Sequence, residues 1–469
     1  MITDNIILFE AHGRFVLIDN CTYNMFLVSK TSFKILQALK KGNRKTVIEE
    51  QFGKNNVDKV TNSINRLKEN EAIRNYEGDL SGNGRDAVNR LIDGQPKLAE
   101  GVFMLAQDCN MKCRYCFGGS GQFGSAGMMS KEMAENYFKN FIKNQGKSDL
   151  QKVKFLGGEP LLNFDTMKHI LDLWERLRHQ YTEKRVSFSF TTNGTLFTPE
   201  IVQYLKDKGV GVTISLDGPA DTQNNSRRFR DGTSTFDSVM KGIKLLEQYH
   251  VNFAIRATVT SDTNLEELYE YFCSKNFQIV HILPVDFPLK KKAKAYQWDL
   301  KQYKDFVNNE INLLSKGCRD MISGDSTSFE AKQMQIVYDD MQARQVTFPF
   351  KCSAGWWSAA FSSDGYIYPC HRMVGNEHYR IGDHLNGIQT EKIKEIYSKI
   401  LDASTKCDSC MAYTRCKRRC MAQMALPDGN FTEIPEQLCD IYRDMFKHSL
   451  SLFLKVDDDR RKGKQYGSK

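Results

Sequence analysis

Residues 109–117 read CNMKCRYCF and place three thiols, Cys109, Cys113 and Cys116, four and three positions apart. Thiolates are the ligands of soft metal ions and iron–sulfur clusters. Three of them on one short loop can hold three irons of a cubane cluster and leave the fourth iron open to a non-protein ligand. A zinc ion with three protein ligands is the competing reading, although the loop contains no histidine or carboxylate. A second array lies downstream: Cys352, then Gly365 and Cys370, then Cys407, Cys410, Cys416 and Cys420 in the spacing CX2CX5CX3C, then Cys439. Seven thiols in that order are a metal-binding pattern, and the spacing alone leaves both iron–sulfur clusters and a zinc ribbon open. Cys21, Cys273 and Cys318 stand apart and read as small buried hydrophobes.

A fixed set of elements must carry these residues. The apolar stretches GVFMLAQ (101–107), KVKFLGG (152–158), RVSFSFTT (185–192), VGVTISLD (210–217), NFAIRATVT (252–260) and QIVHILPV (278–285) alternate with helical patterns of ten to eighteen residues. Strand then helix, six times over, means parallel strands joined by crossovers. Six units favour an α/β fold built as an open, partial (β/α)6 TIM barrel, with a doubly wound sheet as the alternative. The barrel reading puts the active site at the C-terminal strand ends. The first cysteine loop follows strand one, GGEP (157–160) strand two, TTNG (191–194) strand three and SLDGP (215–219) strand four, while Arg256 lies on strand five.

Residues 1–85 read as a separate unit. IILFEA and RFVLID flank a His12-Gly13 turn, and amphipathic patterns follow at 31–41, 44–52 and 56–71, the first with Thr31 or Ser32 as N-cap. Two or three strands with three short helices predict a winged-helix-like unit. A polar linker covers 80–97, the barrel 96–300, a helical bridge 301–350 and the cysteine-rich domain 351–450; the last fifteen residues read as a frayed tail.

Composition narrows the function classes. A chain of 469 residues divides into two or three domains, and 41% hydrophobic with 26% charged residues is ordinary for a globular protein. No apolar run reaches membrane-spanning length, and MITDNIILFE lacks a cationic signal region, so a cytoplasmic location is expected. Thirteen cysteines there argue for metal or catalysis over disulfides. The net charge of +9 is a small excess of 66 basic over 57 acidic residues, and KKKAK (290–294) reads as a solvated loop; no nucleic-acid partner is expected.

The C-x3-C-x2-C loop with Tyr115 before its last cysteine, followed by GGEP, TTNG, SLDGP and Arg256 in barrel order, resembles the radical S-adenosylmethionine (radical SAM) superfamily. The resemblance implies that Cys109, Cys113 and Cys116 ligate a [4Fe-4S] cluster. It further implies that Gly157, Gly158, Glu159 and Pro160 meet the amino group of S-adenosylmethionine, that Asn193, Ser215 and Asp217 face the ligand and its ribose, that Arg256 pairs the carboxylate, and that Tyr115 lies near the adenine. In such enzymes the open iron is chelated by S-adenosylmethionine, and electron injection yields a 5′-deoxyadenosyl radical that takes hydrogen from an unactivated carbon.

The downstream order C-x12-G-x4-C, gap, CX2CX5CX3C, gap, C resembles the SPASM extension of peptide- and protein-modifying radical enzymes, which binds two auxiliary clusters. Carried over, Cys407, Cys410, Cys416 and Cys439 complete one cluster and Cys352, Cys370 and Cys420 hold the nearer one. Anaerobic sulfatase-maturating enzymes, similar in both cluster regions, place a further cysteine between the equivalents of Cys352 and Cys370. SAGWWSAAFSSDGYIYP has none. An iron is thereby left to accept a substrate thiolate, unless Cys21, Cys273, Cys318 or an aspartate fills it. The amino-terminal unit resembles, by pattern, the recognition element of maturases of ribosomally made peptides, in which an extended leader adds a strand beside the hairpin. With CNMKCRYCFGGSGQFGSAGMMS, the chain most resembles thioether-forming maturases of the ranthipeptide and sactipeptide kind. Those enzymes join a cysteine sulfur to an acceptor-residue carbon in a precursor peptide (leader and core), with the surplus electron leaving through the nearby auxiliary cluster. A flavodoxin- or ferredoxin-type donor is implied. A formylglycine-generating sulfatase-maturating activity, peptide epimerisation and carbon–carbon crosslinking are the enzymatic rivals; a zinc-bearing leader- or DNA-binding module is the non-enzymatic one.

Overall fold

The computed structural model describes residues 6–11, 13–19, 24–70, 72–73, 96–143, 150–181, 185–275, 277–287, 297–342, 354–407, 410, 412, 416 and 420–466. The chain begins with a three-stranded antiparallel sheet in the order β1 (Ile6–Ala11), β2 (Arg14–Asp19), β3 (Met25–Val28), followed by α1 (Lys30–Lys40), α2 (Lys45–Phe52) and α3 (Lys54–Glu69). Gly13, at φ 72°, is the turn residue the hairpin reading required; His12 lies outside the described residues. The N-cap of α1 is Ser29, not Thr31 or Ser32: its hydroxyl accepts from Ser32 N–H at 3.0 Å, and its extended backbone starts the helix earlier than the apolar pattern does.

RFVLID is apolar nearly throughout because both faces of this small sheet are covered. Leu17 and Ile6 point toward Ile35, Leu36, Ile48, Val57 and Ile64 of the three helices. Val16 and Ile18 point the other way, into a core shared with Leu314, Cys318, Met334, Tyr338, Phe446 and Leu450. Those partners belong to α10 (Leu300–Ser323), α11 (Phe329–Gln342) and α14 (Glu436–Tyr466). The frayed-tail expectation is therefore corrected. Helix α14 continues into the last fifteen residues as far as Tyr466 because Phe453, Leu454 and Val456 prolong its buried face, while Asp458 pairs Arg14 and Arg460 lies 4.3 Å over the Tyr338 ring; 467–469 lie outside the described residues.

The main sheet holds six parallel strands in sequential spatial order: β4 (Glu100–Gln107), β6 (Leu150–Gly157), β7 (Arg185–Thr192), β8 (Gly211–Ser215), β9 (Phe253–Val259) and β10 (Val280–Pro284). Crossovers run through α4 (Lys131–Lys143), α5 (Phe164–Leu177), α6 (Pro199–Asp207), α7 (Ala220–Ser226), α8 (Phe236–Gln248) and α9 (Leu265–Lys275). Sequential order with parallel pairing is the mixed α/β arrangement expected, and among the described residues β10 pairs only with β9. The short β5 (Gly127–Met128) folds back on the end of β4.

At the other edge β4 is not free. Strand β11 (Ser358–Phe361) pairs with it in parallel, and β12 (Tyr366–Tyr368), β13 (Gly382–Asp383) and β14 (Gly387–Ile388) extend the sheet antiparallel beyond. The six parallel strands and the cysteine-rich segment thus share one eleven-stranded sheet and one core. Phe361 stacks 4.8 Å from Phe103, and Gln107, fully buried, accepts from the Ser362 and Ser363 hydroxyls at 2.5 and 2.8 Å. Helices α12 (Thr390–Asp402) and α13 (Met421–Met424) complete the segment. No helix among the described residues is long and apolar enough to cross a membrane.

Candidate functional site

The first cysteine loop leaves the end of β4 at Asp108. Cys109 is buried, and Cys113 and Cys116 are half-buried. Burial pushes the Cys109 thiol up to about 12 and the Cys113 thiol up to about 11; each thiol also feels the Cys116 thiol, so an isolated thiolate is disfavoured there until a cation arrives. Across the loop lies the segment 226–230, SRRFR, whose backbone bonds to residues 110–114, and Arg230 pairs Asp108.

The two glycines of GGEP are required by this loop itself. A Cβ on Gly158 would stand 2.2 Å from Asp108 O and 2.9 Å from the Cys109 Cβ; one on Gly157 would stand 2.1 Å from Ala106 O. Gly158 N–H donates to Ala106 O at 2.7 Å and Glu159 N–H to Asp108 O at 2.9 Å, so strand two's end clasps the start of the cysteine loop. Replacing Gly158 by alanine is expected to displace Cys109 and remove the first cluster's share of bound iron while leaving far-UV circular dichroism unchanged; iron analysis after anaerobic reconstitution checks it.

Glu159 is fully buried and caps the single turn Pro160–Asn163. Its carboxyl accepts from Leu161 N–H (3.0 Å), the Thr192 hydroxyl (2.8 Å) and Asn193 N–H (2.7 Å), and burial raises it to about 7. Three donors leave a lone-pair site on an ionised carboxylate, which suits an amino group. Asn193 holds the loop as well: its Nδ2 donates to Asn110 Oδ1 at 2.7 Å and lies 3.9 Å from Cys109 Sγ.

Strand four's end places Ser215 beside Arg256 in register. Among the described residues Arg256 has no acidic partner; its side chain reaches solvent, while partial desolvation at the strand end and the neighbouring guanidiniums of Arg227 and Arg372 press against its charge, a setting that suits a carboxylate ligand. Asp217 differs from expectation. Its side chain is completely buried and already accepts from the Tyr115 hydroxyl, Arg227 Nε (3.0 Å) and Thr258 N–H (2.9 Å), so it anchors Tyr115 and the loop to strands β8 and β9. Arg227, Asn110 and Arg372 were not singled out from the sequence; the only signal for Arg227 was the basic run after SLDGP.

The second array falls into two neighbourhoods. Arg372 joins Cys370 and Cys420: its N–H donates to Cys370 Sγ at 3.5 Å and its Nη1 to Cys420 Sγ at 3.8 Å. Cys410 N–H donates to Cys407 O at 3.0 Å, and the Cys439 thiol, raised by burial, feels Cys416. Cys352 lies outside the described residues. The two arrays meet through Phe117, whose ring lies 5.7 Å from that of His371 and 5.5 Å from the Arg372 guanidinium. Asp286, beyond β10, pairs Arg372 and accepts from Gln423 at 2.7 Å. Burial lowers the His371 imidazole to about 4, which keeps it neutral.

The donor chemistry fits clusters. Among the described residues no three His, Cys, Asp or Glu side chains converge as one metal ion would need; the thiolates of a cubane each bind a different iron. Glu159 with a spare acceptor site and Arg256 without an acid suit the two ends of an amino acid moiety.

Residues 104–272 match the family model described as the Radical SAM superfamily, and the chain carries a radical SAM domain. It is 26% identical over 382 residues to the cysteine-type anaerobic sulfatase-maturating enzyme of Clostridium perfringens (strain 13 / Type A), covering 77% of this chain and 98% of that one. To the radical SAM cyclopropyl synthase TigE of Paramaledivibacter caminithermalis it is 24% identical over 461 residues, 92% of this chain and 90% of the other. Among solved structures, native anSMEcpe with bound AdoMet and Kp18Cys peptide superposes with a TM-score of 0.64 at 24% identity, over 78% of this chain and 100% of that one. Streptococcus suis SuiB bound to precursor peptide SuiA gives 0.51 at 16% identity, over 92% and 98%. These two likenesses are of fold.

Proposed function

We propose that this chain is a radical SAM maturase that joins a cysteine sulfur to an acceptor-residue carbon in a ribosomally made precursor peptide. Cys109, Cys113 and Cys116 would hold the first [4Fe-4S] cluster; Cys352, Cys370 and Cys420 the nearer auxiliary cluster; Cys407, Cys410, Cys416 and Cys439 the farther one. When bound, S-adenosylmethionine and these clusters supply a 5′-deoxyadenosyl radical for hydrogen abstraction and a sink for one electron. Glu159 and Arg256 orient the amino acid end of S-adenosylmethionine, and Ser215 and Asn193 stand at the neighbouring strand ends. In the net reaction the acceptor carbon loses a hydrogen atom, the thiol loses its proton to solvent, the carbon–sulfur bond forms and one electron is released.

The observation that carries the reading is the incomplete thiol set around Arg372. Cys370 accepts from the Arg372 backbone N–H and Cys420 from its guanidinium beside the mouth of the first site, and the sequence provides Cys352 but no fourth cysteine between 352 and 370. A fully ligated cluster serves a formylglycine-forming rival equally well; an iron open to a substrate thiolate serves sulfur–carbon bond formation. The length of the matches supports the coarser part of the reading, a peptide maturase with a use for its extra length: about a quarter of this chain lies outside the sulfatase-maturating match, whereas the match to the cyclopropyl synthase TigE extends over 92% of it. A leader adding a strand to the β1–β3 sheet is the proposed use of the amino-terminal unit, and a flavodoxin- or ferredoxin-type protein the proposed donor.

The test is anaerobic incubation of the reconstituted chain with a cysteine-bearing precursor peptide and reductant. Loss of paired hydrogens with a thiol no longer open to alkylation is the expected product; loss of the thiol to an aldehyde would establish the formylglycine activity instead. Reconstitution is expected to give roughly 12 irons per chain from three four-iron clusters.

A further inference from the structure

The pairing between the first cysteine loop and SRRFR has one constant antiparallel register. Lys112 N–H donates to Arg228 O at 2.8 Å, Arg114 N–H to Ser226 O at 3.0 Å and Arg230 N–H to Asn110 O at 3.2 Å, with a bridge between Met111 and Phe229. That register sets Arg227 directly across from Cys113, the middle thiol of the three. Arg227 is only 9% exposed, and its guanidinium lies 5.3 Å from the centre of the Tyr115 ring.

A buried cation needs compensation, because stripping it of water without a partner is far costlier than any single hydrogen bond returns. Asp217 compensates it: Arg227 Nε donates to Oδ2 at 3.0 Å. The Tyr115 hydroxyl donates to the same oxygen, and Thr258 N–H of β9 donates to the other at 2.9 Å. The result is a buried ion pair whose cation belongs to the residue across from Cys113 and whose negative charge is spread over donors from the loop and the sheet.

We infer that Arg227 is a positioning residue whose buried charge, held across from Cys113 by Asp217, raises the reduction potential of the cluster Cys113 would ligate. The inference rests on the reading of Cys109, Cys113 and Cys116 as cluster ligands. Cluster potentials respond to nearby charge, to hydrogen bonds on the sulfurs and to exclusion of water. Adding one electron to a cluster is favoured by a fixed positive charge in low-dielectric surroundings. Arg227 supplies the charge, while its backbone neighbours Ser226 and Arg228 fix the loop that carries the thiol.

The test is a redox titration, followed by electron paramagnetic resonance, of the first cluster in the reconstituted full chain, identified by its change in signal when S-adenosylmethionine is added. Arg227→Gln is expected to lower the reduced fraction at a fixed ambient potential about tenfold, a downward shift of about 59 mV for a one-electron couple. Asp217→Asn leaves the cation uncompensated and is expected to shift the potential upward. Arg227→Lys, which keeps the charge, is expected to stay near wild type. Opposite signs for the first two variants are the signature, because a role confined to holding the loop would move both the same way. Unchanged potentials, or shifts of one sign, overturn the inference. If Arg227→Gln takes up no iron at the first site, Asp217→Asn decides: a potential at or below wild type overturns it. A wild-type chain that binds iron but shows no signal responsive to S-adenosylmethionine defeats the ligand reading itself and the inference with it.

Discussion

Cys113→Ala is expected to abolish 5′-deoxyadenosine formation while leaving the second cysteine array able to bind iron. Cys113 is the middle of the three loop thiols, and the backbone N–H groups on either side of it are committed to Ser226 and Arg228. Among the described residues the cysteines of the second array are held in their own segment, Cys370 and Cys420 at Arg372 and Cys439 on α14, and none stands in the loop to replace it. A three-thiol site has no redundancy, so loss of one ligand removes the cluster. Chromatography of the nucleoside product together with iron analysis checks both halves: no 5′-deoxyadenosine, and iron reduced by about four per chain. Cleavage of S-adenosylmethionine at the normal rate in this variant would end the radical SAM assignment of Cys113.

Leu27→Asp is expected to weaken binding of the leader about 10- to 100-fold while leaving uncoupled cleavage of S-adenosylmethionine unchanged. β3 is an edge strand of the amino-terminal sheet, and Leu27 is a large apolar side chain left 47% exposed on it. An edge with unpaired backbone groups and an exposed leucine is a place for an added strand. Covering the exposed half of that leucine is worth about 1 kcal/mol, and placing a charged carboxylate under the added strand costs about as much again, which together give the expected loss. A point change is the right probe here, because deleting the whole unit would strip Val16 and Ile18 from the core they share with Tyr338, Phe446 and Leu450, and the remainder would lose stability for reasons unrelated to the leader. Fluorescence anisotropy with labelled leader measures the affinity; an unchanged value would remove the sheet edge from the recognition proposal.

The strands were legible because parallel, doubly covered strands are short, continuous apolar runs with turn residues after them. RVSFSFTT is β7 to the residue, and the other five parallel strands lie within two or three residues of their runs at either end. The cysteine loop and GGEP were legible as chemistry because their residue types have few other uses at such spacing. The radical SAM resemblance implies that Asp217 faces the ligand, and the structure turns its carboxylate instead to Tyr115 and Arg227. Arg227 sat in plain view within a basic run, which reads as solvated surface until a partner is known. The tail was misread because DDDRRKGK is polar, whereas Phe453, Leu454 and Val456 just before and within it have a core to meet only once the amino-terminal sheet is in place.

Local chemistry and periodicity, read along the chain, were enough to determine that three thiols stand at the end of the first of six parallel strands and that seven more follow in a metal-binding order. What the tertiary structure alone decided are the pairings between distant segments: β11 beside β4, the amino-terminal sheet on α10, α11 and α14, Arg372 between Cys370 and Cys420, and Arg227 across from Cys113. The physical reason is that a strand edge, a buried charge or an exposed apolar face states a need for a partner without naming it. Residues tens to hundreds of positions away answer that need, and only folding brings them into reach.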